Sequence, residues 1–156
     1  MSAIVETTTA SPAYWDDHYG WLMAQLEFVR ERRFDKIDWE NIAEDLEDMG
    51  RSEYRSLESA LRVLLVHLLK WDHQVSYRSR SWLLTIKEQH RQYRRILDEN
   101  PSLRQHLEQI RQDAHKSARR DAVKDTGFAL ASFPKEALGW NAIENPPATE
   151  DDLELE

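Results

Sequence analysis

Four polar side chains fall where a helical reading of this chain wants apolar ones: Glu53, His67, Gln89 and Asp121. Glu53 and His67 lie on or beside the stripe running from Trp39 to Trp71. Gln89 falls on the stripe of the next helix, and Asp121 ends the row Leu103, Leu107, Ile110, Ala114, Ala118. A carboxylate or imidazole taken into a helical core is costly unless hydrogen-bonded, paired or bound to metal. Carboxylates and a histidine converging inside a bundle could hold a metal, with Glu53 and His67 as ligands and Asp121 completing the shell in a hydrolytic or redox role. Asp45 and His18 are outlying members of the same set. Ligand spacing argues the other way: neither a Glu-x-x-His pair nor HExxH occurs. Glu40, Glu44 and Glu47 share a helix face, but the outward one. The favoured expectation is that Glu53, His67, Gln89 and Asp121 hydrogen-bond, or pair with Arg62, Arg78 or Arg80, and fix the packing register. No catalytic residue and no cofactor is assigned.

A second group is cationic. Arg78, Arg80, Lys87, Arg91, Arg94 and Arg95 gather on and just before one helix, near Tyr77 and Trp82. Basic side chains interleaved with aromatics can hold phosphates and stack bases. Against a nucleic-acid role stands an acidic chain, with net charge −8 and pI near 5.3. A third group is aromatic: six tryptophans in 156 residues suit either a small core or the hot spots of a protein interface. No Ser–His–Asp order stands out, and 4 glycines, mostly at helix ends, leave little for a nucleotide-cradling loop.

The elements that would position these groups are helical. A first helix is predicted from Trp15 or Asp16 to about Arg33, with Trp15, Leu22, Leu26 and Val29 on one face and Trp21 and Phe28 on a second. Asp38 reads as an N-cap. From there Trp39, Ile42, Ala43, Leu46 and Met49 are in phase with Leu57, Leu61, Leu64, Leu68 and Trp71, which predicts one long helix, kinked at Gly50; the alternative is a C-cap at Gly50 and a new N-cap at Ser52. Between residues 61 and 71 the apolar positions surround the axis, so that stretch is central in a bundle or meets another subunit. Ser79 or Ser81 caps the next helix, with Trp82, Ile86, Tyr93, Ile96 and Leu97 inward, and Asn100-Pro101 stops it. Asn100 or Ser102 caps a last long helix that ends at Gly127. Its alanines make a thin face, so its neighbour must approach closely.

Several of these segments are also familiar together. WENIAEDLEDMGRSE, LRVLLVHLLKW, RSRSWLLTIKEQ and NPSLRQHL occur in that order, and the chain from Tyr14 to Phe133 resembles domain-of-unknown-function family twenty-nine. The resemblance implies a small all-helical protein of cyanobacteria and some proteobacteria. It carries over no activity and no catalytic residues, and the acidic stretch from Glu144 departs from the pattern.

Charge is segregated along the chain: −8 over residues 1–60, +6 over 61–126 and −6 over 127–156. Such blocks can satisfy one another within a bundle or between subunits. No apolar run reaches bilayer length, and the start lacks the pattern of a signal peptide. The absence of cysteine fits a reducing cytoplasm. The expected fold is all-α: an antiparallel bundle of four to five helices over residues 14–140 with a short irregular C-terminal arm, a disordered lead-in at 1–13 and an acidic disordered tail at 141–156. The expected role is a non-enzymatic cytoplasmic interaction module with a protein partner or a second copy. Metal binding is the alternative, nucleic-acid binding the second alternative, and no membrane association is expected.

Overall fold

The computed structural model describes residues 12–153, so most of the expected lead-in and the last three residues of the expected tail lie outside it. The fold is all-α: five helices and no strand among the described residues. They are α1 (His18–Arg30), α2 (Trp39–His73), α3 (Arg80–Glu99), α4 (Leu107–Thr126) and α5 (Trp140–Glu144). The chain divides into two compact units at Gly50–Arg51.

In the first unit, α1 starts at an Asp17 cap whose carboxylate accepts from Gly20 N at 2.9 Å. The side chain sits against the Gly20 Cα so closely that a methyl group there would collide with it. After a 3-10 turn at Phe34–Lys36 the chain reverses, and Asp38 caps α2 as predicted, accepting from Asn41 N. Gln25, itself buried, reaches over from α1 and accepts from Asp38 N at 2.8 Å. Tyr14 donates to Asp45 Oδ1 at 2.8 Å, and His18 Nε2 lies 3.5 Å from Asp45 Oδ2. Contacts 25–38 at one end and 14–45 at the other make α1 and the start of α2 an antiparallel hairpin.

Helix α2 runs 35 residues without a break through Gly50, about 50 Å at 1.5 Å per residue. The alternative, a cap at Gly50 and a new start at Ser52, is not formed. In the second unit its Leu57, Leu61, Leu64, Leu65, Leu68, Leu69 and Trp71 form the centre of the core. Each fully buried leucine contributes about 1.5–3 kcal/mol by leaving water. Ser79 caps α3 through Trp82 N, and α3 adds Leu83, Ile86, Tyr93, Ile96 and Leu97. Helix α4 adds Ile110, Ala114, Ala118 and Ala122, all without solvent exposure. The ion pairs Arg62–Asp121 and Lys70–Asp125 advance together along α2 and α4, whereas Glu53 meets Asn100 at the far end of α3. The three helices thus run up, down and up. Gly127 takes the left-handed conformation at φ 73° and donates to Val123 O, which closes α4 as expected for a C′ glycine.

Two expectations differ from the structure. Helix α4 begins at Leu107 because Pro101–His106 is a 3-10 turn, so Leu103 belongs to the turn. The expected break at residue 140 falls at the first residue of α5, and the described part of the tail is folded. Ile143 is wholly buried in the core, Leu153 packs against it, and Glu144 is tied to α3. An acidic composition overlooked those anchors.

Candidate functional site

The hairpin of the first unit leaves large apolar side chains in water. Among the described residues fourteen large hydrophobics are exposed, and nine are here: Trp15, Tyr19, Met23, Leu26, Val29, Phe34, Trp39, Leu46 and Met49. Exposure reaches 83% at Trp15, 73% at Tyr19 and 66% at Met49. Among described apolar residues of this unit only Trp21 and Ile37 are buried. At 100° per residue, Tyr19, Met23, Leu26 and Val29 fall within about a third of the circumference of α1, and Trp39, Leu46 and Met49 within a narrower arc of α2. The first of the two predicted faces, Trp15 with Leu22, Leu26 and Val29, is thus largely exposed. Trp21 on the second face is the buried one. Contiguous apolar stripes of this size mark interaction surfaces. Their scaffold is ordered: Tyr14 packs edge-on against Trp15, His18 and Trp21 at 4.7–5.0 Å. Its phenol is pushed up to about 12 by the hydrogen bond to Asp45, with burial and the neighbouring acids adding to it.

The residues expected to form a metal site do not converge. Glu53 is exposed and accepts from Asn100 at 3.4 Å, because core burial on α2 begins only at Leu57. His67 is half-buried and its Nδ1 donates to Val63 O in its own helix at 2.9 Å. Gln89 is half-buried and lines a polar groove with Ser52, Arg55, Ser56 and Gln92. Asp121 pairs with Arg62 at 2.6 Å, which holds its carboxyl below the usual range. The buried row of α4 continues through Ala122, so Asp121 sits at its edge. Among the described residues no three His, Asp or Glu side chains lie together as a metal site.

The cationic group is real but engaged. Arg78 donates to Trp71 O at 3.0 Å and lies over the Trp71 ring, Arg80 pairs with Glu150, and Arg91 chelates Glu88. Arg95 reaches Gln92 and Glu99. Arg94 and Tyr93 both donate to Glu144, at 2.7 and 2.8 Å, and so fasten α5 to α3. Burial would raise the Glu144 carboxyl, but these two hydrogen bonds outweigh it and hold it low. Lys87 lines a groove of about 760 Å³ with Leu84, His90, Pro146 and Pro147. Five of the six expected cations therefore already have partners within the chain.

The buried polar residues among those described, Gln25 and His115, were both missed. His115 belongs to a ladder on α4. Arg111 donates to Leu138 O at 2.7 Å, His115 Nε2 to Pro134 O at 2.9 Å, and Arg119 to Leu130 O at 3.0 Å. Their four-residue spacing was visible in the sequence; the backbone carbonyls they serve carry no sequence signature. The ladder seats the arm that buries Phe133.

Acid should loosen this arrangement. His67, His90 and His115 are all held below the usual histidine value of 6.5, in each case first by burial, and His115 further by Arg119 and Arg111. A base with a depressed folded pKa binds fewer protons folded than unfolded, so stability falls as pH drops below about 6.5. The melting temperature at pH 5.5 is expected below that at pH 7.5. His115→Gln, which keeps a donor for Pro134 O, should narrow the difference. An equal difference in wild type and variant would remove His115 from the explanation.

A family model described as Domain of unknown function DUF29 matches residues 13–142. No curated protein and no solved structure matches the chain. No helix among the described residues is long and apolar enough to cross a membrane.

Proposed function

The chain belongs to the family described as Domain of unknown function DUF29, and from that premise we propose that it is a non-enzymatic protein-interaction module whose docking surface is the apolar face of the α1–α2 hairpin. The observation that carries this reading is the concentration of exposed large hydrophobics in residues 15–49, against two buried apolar residues in the same unit. A two-helix hairpin cannot enclose a core, so its stripes are satisfied only by a further layer. Aromatic and methionine side chains dominate the stripes, and these are the residue types enriched in interface cores. The absence of cysteine suits a reducing compartment, and we place the protein in the cytoplasm.

The two alternatives gather less support. A metal role lacks a converging ligand set among the described residues. A nucleic-acid role would have to draw on arginines that already hold the chain's own carboxylates and carbonyls.

The test is photo-crosslinking in cells with a benzophenone side chain at Met23, and at exposed Lys116 as control. A discrete protein adduct at position 23 and none at 116 is expected. Equal labelling at both, or none at 23, would overturn the hairpin as a docking surface.

A further inference from the structure

We infer that the layer covering the hairpin is the hairpin of a second copy of this chain, running antiparallel to the first; this rests on the docking surface proposed above. Three observations point to a second copy and to that orientation.

The first is charge. The tip of the hairpin, residues 30–38, carries Arg30, Arg32, Arg33 and Lys36 against Glu31, Asp35 and Asp38, net +1. The base carries Asp16 and Asp17 at the start of α1 and Glu44, Asp45, Glu47 and Asp48 opposite them on α2, net −6. Tyr14 and Asp45 in hydrogen bond, and Gln25 with Asp38 at the other end, fix which residues lie at base and tip. A parallel copy would set −6 against −6. An antiparallel copy sets +1 against −6 at both ends, so the hairpin is complementary to itself under a two-fold axis. Rim charges of this kind select orientation and partner more than they add affinity.

The second is length. Helix α1 has 13 residues and α2 covers twelve from Trp39 to Gly50, each close to 20 Å at 1.5 Å per residue. A rotated copy therefore brings tip to base at both ends with the apolar stripes overlapping throughout. Two hairpins together make a four-helix layer in which such stripes face one another.

The third is area. Large side chains offer about 150–250 Å² each, so nine at 38–83% exposure supply on the order of 1,000 Å² per copy. A stable interface needs about 800 Å² per partner.

The chain has no cysteine, so introduced thiols report geometry cleanly. Asp16→Cys marks the base and Asp35→Cys the tip, both at exposed positions. The full-length variants are oxidised separately and as a mixture, then separated without reductant. The mixture is expected to give a covalent dimer of twice 18.5 kDa, in excess of either variant alone. Dimer formed as readily by Asp35→Cys alone, or by Asp16→Cys alone, would overturn the antiparallel arrangement. No dimer in any combination would overturn the second copy. In that event an adduct at Met23 with a different protein keeps the docking surface, and no adduct there removes both. Arg30→Glu with Arg33→Glu, checked for unchanged helix content by circular dichroism, should halve the mass seen in light scattering. An unchanged mass would overturn the charge selection.

Discussion

Leu26→Glu combined with Met49→Glu is expected to leave the chain a monomer at concentrations where the wild type self-associates, with helix content unchanged. Leu26 is 38% and Met49 66% exposed, so in the isolated chain these are surface substitutions worth within about 0.5 kcal/mol. In a two-fold interface each appears twice, and four carboxylates would enter an apolar layer without partners. At even about 1 kcal/mol per carboxylate the loss is roughly 4 kcal/mol, or about a thousandfold in dissociation constant. Sedimentation equilibrium of the two proteins side by side checks this. If the variant retains the wild-type mass, the stripes on α1 and α2 are not the contact.

Ala118→Leu is expected to be the most destabilising single substitution on α4. Ala114, Ala118 and Ala122 form a row at zero exposure, and a row of methyl groups leaves the facing side chains close to the α4 backbone. Three added carbons have no space to enter, and overpacking a filled core costs about 3 kcal/mol at the upper end of its usual range. For a unit of about a hundred residues that is a melting temperature lower by on the order of 10–20 °C. Lys116→Leu, on the exposed side of the same helix, should stay within about 0.5 kcal/mol of wild type. Melts of the two variants that agree within a few degrees would mean that the alanine row is not closely packed.

Much of the second unit was legible because its signals are local and mutually consistent. The stripe Leu57, Leu61, Leu64, Leu68 and Trp71 is the observed core of α2, and Ser79 and Gly127 bound α3 and α4 as their chemistry requires. Asp38 likewise caps α2. Periodicity alone failed where a stripe has nothing to pack against. Trp39, Leu46 and Met49 share the phase of the buried leucines yet stand in solvent, since a helical repeat encodes a face and not its occupant. Glu53 was misplaced for the same reason, lying on a stripe one turn before burial begins. His115 and Gln25 were missed because their partners are backbone groups brought near by the fold, Pro134 O and Asp38 N. The acidic tail misled through composition: one apolar side chain, Ile143, and one carboxylate, Glu144, suffice to anchor α5.

Self-association through the hairpin is tested most directly by hydrogen exchange of the wild-type chain at dilute and at high concentration, followed segment by segment. Amides of α1 and of the first twelve residues of α2 should exchange more slowly as concentration rises, while α3 and α4 stay the same. Exchange in residues 18–50 that does not change with concentration would contradict it.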